Sequence, residues 1–475
     1  MPKVGSFELW EHQSEAKELL RGCYREGKRR ALLVAPTGAG KTTIFCDLIH
    51  SAEAKGKRTI VLAHRKELIN QASERLNLYG VEHGVIMSND SRKNSLLQTQ
   101  VASIATLANR PYWDNWADFI VIDEAHRARA SSYLQFLERS PKAKVLGVTA
   151  TPYRADGGGL GDIFDCMVRT TTTKELINKG ILARPRIFTP TLLNLSNVTR
   201  NRVDYSEGEL DGIVNKTEIL GNVVDSWVRI AEGRRTIVFA GSVKHSRNLA
   251  QRFNDAGYKF IHLDAESDKI DKGYRKDILG RLQRHEIDGI TNCALFVEGM
   301  DIPEISCVVL AGPTLSKNKY VQEAGRGLRK AEGKLDCVII DNANLMAEHG
   351  SFLDEGDFTL EKGLKKKSKK EKAAKTFVSC SNCYASNEVN ALVCAECGSP
   401  LASTRSAIVV EKAAHLQEID LSLAESEPIK KVSGVREEIK KAKTRAQLEE
   451  LAALKGYKAG WVKHIMESRQ RKGMR

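Results

Sequence analysis

A chain of 475 residues exceeds what one ordinary hydrophobic core holds, and at ~150 residues per domain it implies about three units. With 41% hydrophobic and 28% charged residues it has the composition of a globular protein, and no apolar run approaches the ~20 residues of a membrane helix, which excludes a membrane-spanning class. The formal charge of +14 sits in two places: residues 362–375 hold eight lysines against one glutamate, residues 430–475 fourteen basic residues against five glutamates, and the rest is near neutral. That field suits a C-terminal third that holds a polyanion while a neutral body works on it; residues 362–375 alone read equally well as a solvated linker.

The opening residues, MPKVGSFELWEHQ, lack the apolar stretch of a secretory signal, so a cytoplasmic setting is expected. From residue 31 to about 150, the runs ALLVA, TIVLA, FIVIDE and VLGVTATP alternate with helical segments, as parallel strands covered on both faces do. APTGAGKT, residues 35–42, fits the phosphate loop G-x-x-x-x-G-K-[ST] except that Ala35 stands at the first glycine. Gly38 and Gly40 let backbone N–H groups face phosphates, Lys41 can reach the β- and γ-phosphates of ATP, and the Thr42 hydroxyl can coordinate Mg²⁺. Pro36, Thr37, Ala39 and Thr43 complete this cradle. FIVIDEAH then ends a strand in Asp123, a carboxylate able to hold the Mg²⁺, and Glu124, placed to orient or deprotonate an attacking water. An acidic pair after a strand is often only a helix cap; beside a phosphate loop in the same α/β unit it reads as an ATPase.

Residues 155–235 begin with ADGGGLGD and include a polar, Asn-rich stretch from which no fold follows. A second strand series, TIVFAG, FIHLDA, GITNCA, CVVLAGPT and DCVIIDNA, implies a second α/β domain. Within it, QEAGRGLRK places Gln322, Arg326 and Arg329 at i, i+4 and i+7, one face of a helix. Cys380, Cys383, Cys394 and Cys397 form C-x₂-C-x₁₀-C-x₂-C, which suits a structural, tetrahedral Zn²⁺; disulfides and an iron–sulfur cluster are the competing readings. The other six cysteines are scattered among apolar segments as core residues. The tail, TRAQLEELAALKGYKAGWVKHIMESRQRKGMR, reads as a helix, a glycine-bearing turn and a basic helix; Tyr457 and Trp461 either stack on bases or pack inside the hairpin.

APTGAGKT, VLAHRKELINQ, DEAH, TATPYR, IVFAGSVKHS, FVEGMDIPE and QEAGRGLRK, in this order, resemble motifs I, Ia, II, III, IV, V and VI of the superfamily 2 helicases over roughly residues 10–345. The continuation GRGLRKAEGKLDCVIIDNA is similar to the RadD and XPB branch and to the motor subunits of type I and III restriction systems. The resemblance accommodates Ala35 and implies roles. Gln13 would read adenine, although Trp10, Glu11 and His12 replace the usual Arg-Pro-Tyr lead. Arg65 and the segment Ser103 to Thr106 would contact the phosphate backbone of the tracked strand. Thr149 and Thr151 would couple hydrolysis to grip. Gln322, Arg326 and Arg329 would point across an interdomain cleft at the γ-phosphate, with Gly299 and Asp301 at the same cleft and Asp301 near the ribose.

The expected fold is therefore α/β: two tandem RecA-like parallel-sheet domains, then a small zinc ribbon and a short helical C-terminal module. Expected boundaries are 1–175 for the ATP-binding domain, 176–225 for a connector, 226–345 for the second domain, 346–376 for a basic linker, 377–402 for the ribbon, 403–429 for a second linker and 430–475 for the basic module. The expected function is ATP-dependent helicase or translocase action on DNA in repair or replication, by a monomeric motor whose partners are nucleic acid and repair or replication proteins, not a membrane. A double-stranded DNA motor of a restriction or remodelling complex and an RNA-dependent ATPase clamp are the alternatives; no nuclease constellation accompanies the motor.

Overall fold

The apolar runs of the first half become seven parallel strands: β1 Arg30–Val34, β2 Thr59–Ala63, β3 His83–Ile86, β4 Thr99–Ser103, β5 Phe119–Asp123, β6 Lys144–Thr149 and β7 Cys166–Val168. They lie in the order β3-β4-β2-β5-β6-β1-β7. Every residue of β2 and β5 is buried, because helices cover both faces of the sheet. Successive residues of β2 feed opposite cores: Val61 and Ala63 join Leu20, Phe45 and Leu76, whereas Ile60 and Leu62 join Trp113, Tyr133 and Phe136.

A second sheet follows: β8 Arg184–Thr189, β9 Thr236–Phe239, β10 Phe260–Leu263, β11 Gly289–Asn292, β12 Cys307–Leu310 and β13 Asp336–Asp341, ordered β10-β11-β9-β12-β13-β8 and all parallel. Its core centres on Trp227, whose ring meets Phe253 and Phe260 edge-on and whose indole N–H donates to Thr236 Oγ1 at 2.7 Å. The stretch expected as connector contributes to this lobe: β8 lies beside β13, and helix Thr217–Ala231 supplies Val223, Val224 and Trp227 to the core.

This computed structural model describes residues 8–153, 158–189, 204–205, 207–267, 273–296, 302–355 and 358–361, with short pieces at 377–379, 386–388, 393, 400, 417–419, 444, 447–449 and 462. The chain divides into residues 1–420, which hold both sheets, and residues 421–475. Within the first unit β14 Phe377–Ser379 pairs antiparallel with β15 Ser386–Glu388, Val393 bridges Pro400, and β16 Gln417–Ile419 adds antiparallel to β8. In the second unit Thr444 and Gln447 exchange reciprocal side-chain-to-backbone bonds that open a helical turn. Most of the expected ribbon and of the C-terminal module lies outside the described residues, as do Cys380, Cys383, Cys394 and Cys397.

A strap following the second lobe returns to the first. Glu355 accepts from the backbone N–H of Thr173 at 2.8 Å and pairs with Arg169, and Phe358 lies between the Tyr153 ring and the Arg169 guanidinium. Leu360 enters the lobe-1 core beside Ile163 and Phe164, and its carbonyl accepts from Gly161 N–H at 2.8 Å. This contact accounts for two glycines of ADGGGLGD: a Cβ would stand 2.0 Å from the Leu360 carbonyl oxygen on Gly159 and 3.1 Å from it on Gly161.

Candidate nucleotide site and interlobe cleft

The expected site residues of the first lobe gather at the carboxyl ends of neighbouring strands, where an open parallel sheet forms its ligand crevice. The phosphate loop follows β1, the Thr149–Thr151 turn follows β6, Asp123 and Glu124 end β5, Arg65 follows β2 and Ser103 ends β4. Ala35 N–H donates to the Thr149 carbonyl at 3.0 Å, so the loop begins against the end of β6. Gly38 and Gly40 adopt φ of +87° and +80°, a region costly to side chains, and thereby turn the chain into helix Lys41–Glu53. Thr42 and Thr43 occupy its first turn.

Lys41 Nζ donates to the Ala35 and Pro36 carbonyls at 3.1 and 3.2 Å. Burial lowers the pKa of this ammonium; Glu124 and Asp123 oppose that effect, while Arg326 and Arg329 add to it. Five charged groups from three motifs therefore act on one another here. Glu124 sits at φ +52°, a strained setting for a non-glycine residue, with its N–H on Asp123 Oδ1 at 3.0 Å. The His126 ring lies 3.3 Å from both Glu124 Oε2 and Thr149 Oγ1. Thr149 Oγ1 donates to the Thr151 carbonyl at 3.0 Å and accepts from Thr151 N–H at 3.1 Å, which fixes the TAT turn.

Gln13 approaches from the rear. Its amide donates to the Ala39 carbonyl at 3.0 Å and accepts from Trp10 N–H, and a Cβ on Gly40 would stand 2.3 Å from its Nε2. His12 also reaches the Ala39 carbonyl at 3.0 Å, so the unusual Trp-Glu-His lead holds the loop through a histidine.

The second lobe closes directly onto the loop. A Cβ on Gly325 would lie 3.1 Å from Thr37 Cβ; one on Gly38 would lie 2.6 Å from Leu182 Cδ2 and 3.8 Å from Arg329 Cγ. Gln322 and Arg326 are buried, and Gln322 Nε2 has no hydrogen-bond partner among the described residues. The expectation of one helical face for Gln322, Arg326 and Arg329 needs correction. Helix Lys317–Gly325 tightens into a 3₁₀ turn over Arg326–Leu328, and Arg329 is extended at ψ 140° because it bridges Leu182. Close packing at Gly327, where a Cβ would meet Cys337 Sγ at 2.2 Å, fits this break from helical geometry.

Of the residues expected to contact nucleic acid, Arg65 turns toward the second lobe. Arg65 directs Nη1 at the Ala294 and Leu295 carbonyls of lobe 2, both at 3.4 Å, and beside it Glu67 pairs with Arg275 at 2.5 Å. Ser103 stands at the N-cap of helix Ile104–Leu107, which contains Thr106. Gly299 and Asp301 lie outside the described residues. Among the described residues no cluster of three or more His, Cys, Asp or Glu could hold a metal ion by itself, and no helix is long and apolar enough to cross a membrane. Asp123 with the Thr42 hydroxyl is a donor set that suits a Mg²⁺ carried in by a nucleotide, since such an ion takes few protein ligands.

Sequence reasoning missed Asn318 and Lys334. Asn318 Nδ2 donates to the Tyr153 carbonyl across the lobes at 3.0 Å, and Lys334 Nζ meets three carbonyls behind Arg329. Neither carries a motif signal, because a backbone carbonyl leaves no mark in sequence.

Comparisons with known proteins agree with this division. Residues 6–154 match the model described as "Type III restriction enzyme, res subunit", and residues 215–331 match the "Helicase conserved C-terminal domain". The chain is 30% identical over 403 residues to a 51.5 kDa protein of a Lactococcus phage, covering 84% of this chain and 83% of the relative. It is 29% identical over 355 residues to a Saccharomyces cerevisiae protein named as a candidate ATP-dependent helicase, IRC3, covering 70% of this chain and 51% of that protein. It thus spans most of the phage relative and about half of the yeast one. The ATP-dependent Type ISP restriction-modification enzyme LlaBIII, solved bound to DNA, has a similar fold at TM-score 0.54 and 18% identity, covering 71% of this chain and 28% of that one.

Proposed function

Because the chain belongs to the superfamily 2 helicases, in their RadD/XPB-like branch, and is accordingly a nucleic-acid-dependent ATPase, we propose that it couples ATP hydrolysis to movement along, or unwinding of, DNA in repair or replication. The observation that carries this reading is the contact of Gly325 and Arg329 of lobe 2 with Thr37 and Gly38 of lobe 1. Half of the charged machinery lies on each side of that contact, so occupancy of the loop and closure of the cleft are one event.

In this reading Lys41 exchanges the Ala35 and Pro36 carbonyls for phosphate oxygens, Thr42 and Asp123 hold the Mg²⁺, and Glu124 takes a proton from the attacking water. Arg326 and Arg329 stabilise charge on the transferred phosphoryl group, a contribution worth ~10³ or more in rate. Gln13 steadies the loop that the adenine abuts. Arg65 exchanges its lobe-2 carbonyls for backbone phosphate when DNA enters, alongside Ser103 and Thr106. Gly299 and Asp301, outside the described residues, would serve the same nucleotide, as the resemblance implies. A structural zinc ribbon on Cys380, Cys383, Cys394 and Cys397 is supported by strand pairing: β14 and β15 bracket the first cysteine pair, and the Val393–Pro400 bridge brackets the second. Cys46, Cys307 and Cys337 are buried in the cores of the two lobes, and a cytoplasmic setting is part of this reading.

A second reading, a double-stranded DNA translocase without strand separation, is favoured by the match of residues 6–154 to a restriction subunit. Steady-state ATPase with single-stranded DNA, duplex, forked DNA and RNA separates the two. Stimulation by single-stranded or forked DNA, with strand displacement, is expected of a helicase. Duplex-only stimulation without displacement selects the second reading, and stimulation by RNA alone overturns both. Lys41→Ala serves as control: it should abolish hydrolysis and leave salt-sensitive DNA binding, since the net positive charge lies outside the motor.

A further inference from the structure

The arginine segment is followed by a feature that no motif predicts. After Arg329 the chain turns at Gly333, φ +73°, with Lys334 N–H on the Ala331 carbonyl at 3.1 Å. The turn sends the Lys334 side chain back beneath the segment just traversed. Its ammonium donates to the carbonyls of Gly327 at 2.6 Å, Arg329 at 2.6 Å and Pro303 at 2.9 Å. An ammonium has three N–H donors, and here all three are used.

The three acceptors are not equivalent. Gly327 and Arg329 belong to the segment that presents Arg326 and Arg329 to the phosphate loop. Pro303 belongs to the separate connection that contains FVEGMDIPE. On its other side the arginine segment is held through the Leu182–Arg329 bridge and the bond from Ala183 N–H to the Leu328 carbonyl at 2.7 Å. The segment is thus clamped between the residues that lead into β8 and one partly buried cation. Burial lowers the pKa of that cation and the Arg329 charge adds to the lowering, while Cys337, Glu304 and Asp336 oppose it.

We infer that Lys334 is a positioning residue: by gathering the Gly327, Arg329 and Pro303 carbonyls on one ammonium it aims Arg326 and Arg329 at the nucleotide and ties that aim to the loop ending at Pro303. The inference rests on the proposed role of those arginines. A compact ammonium suits three converging carbonyls, whereas a planar guanidinium does not, which accounts for lysine at this position. Misplacement of a catalytic group by ~1 Å can cost about a hundredfold in rate, so a residue that never touches nucleotide can govern turnover.

The test uses the full chain and two ligands, ADP and the transition-state mimic ADP–aluminium fluoride. Lys334→Met should lower DNA-stimulated kcat by about tenfold to a hundredfold and weaken the mimic about as much, with ADP affinity within about twofold of the parent. In an Arg326→Ala/Arg329→Ala background the same substitution should change mimic affinity by less than about twofold, because neither arginine is left to aim. Lys334→Gln, which keeps two N–H donors, should fall between parent and methionine variant; it is carried through the same cycle if the methionine variant does not fold. An effect of equal size in both backgrounds, or a parallel loss of ADP affinity, means a general structural role and overturns the inference. If the Arg326→Ala/Arg329→Ala protein itself keeps the parent's kcat and mimic affinity, the arginine assignment fails instead.

Discussion

Asn318 donates its side-chain amide to the Tyr153 carbonyl at 3.0 Å, joining the helix of motif VI to the loop of motif III through a buried hydrogen bond between residues 165 positions apart. Asn318 lies one turn before Gln322, and Tyr153 two residues after Thr151, so the bond links the two segments expected to transmit hydrolysis. Tyr153 is pressed on its other side by Phe358 of the strap. Replacing Asn318 by leucine keeps the volume and leaves the Tyr153 carbonyl buried without a donor, a cost of about 1–3 kcal/mol borne only when the lobes are closed. DNA-stimulated ATPase should therefore fall about tenfold while nucleotide affinity of the open protein holds. Unchanged stimulation in that variant would show that the closed state does not use this bond.

The strap gives a prediction about stability. Gly159 is needed for steric reasons: its missing Cβ makes room for backbone, the Leu360 carbonyl, which cannot swing aside as a side-chain tip could. Gly159→Ala should lower stability by about 1–3 kcal/mol, and Leu360→Ala by about 2 kcal/mol or more through loss of lobe-1 core packing. Either change releases the same contact, so the double variant should lose less than the sum. Urea denaturation of the four proteins measures this, and full additivity would show that strap and glycine act separately.

What was legible in the sequence follows from what chemistry demands locally. Phosphate chemistry requires glycines, a lysine and a hydroxyl within eight positions, and a metal carboxylate at a strand end, which is why Lys41, Thr42, Asp123 and Glu124 stand out in the sequence as candidates. The strand β8, RPRIFT, was not legible, because arginines interrupt its apolar positions and hide it from a search for continuous apolar runs. Arg329 was placed on a helix because i+7 spacing fits one; its bridge to Leu182, distant in sequence, draws it into extended backbone. Gly159, Gly161, Asn318 and Lys334 all serve backbone groups of other segments, and no local pattern records such partners.

Two buried carboxyls set the expected pH dependence of lobe 2. Burial pushes Glu323 up to about 7; Lys319, 4.0 Å away, acts against this and does not cancel it. Burial also raises Asp341 to about 6, although backbone N–H groups at its strand end oppose the shift. In the unfolded chain both groups lose their protons near pH ~4. Between about pH 4 and 7 the native state therefore holds more protons than the unfolded one, so this contribution to stability is present at low pH and lost as pH rises through 6 and 7. Glu323→Gln, neutral throughout, should stabilise the protein at pH 8 relative to the parent by on the order of 1–3 kcal/mol and much less at pH 5. Thermal midpoints of the two proteins across that range test it; a difference independent of pH would mean that Glu323 does not hold its proton in the fold.

Metal content tests the remaining element. β14 and β15 are three residues each, and a two-stranded pairing that short is not stable alone in water. The pairing of Val393 with Pro400 is a single bridge. Four thiolates on one Zn²⁺ would supply the missing cohesion, with apparent binding free energies of about 10–16 kcal/mol for such sites. The purified chain should carry about one zinc, release it to a strong chelator, and bind it more weakly as pH falls, because each thiol must lose a proton to coordinate. Cys380→Ser with Cys383→Ser should abolish the metal and expose residues 377–402 to proteolysis. The motor should keep basal ATPase, since none of the described nucleotide-site residues lies in that segment. A metal-free chain whose residues 377–402 resist protease as the parent's do would rule out zinc as the staple, and a chelator that also stopped basal hydrolysis in the absence of excess chelation of Mg²⁺ would place the ribbon inside the catalytic unit.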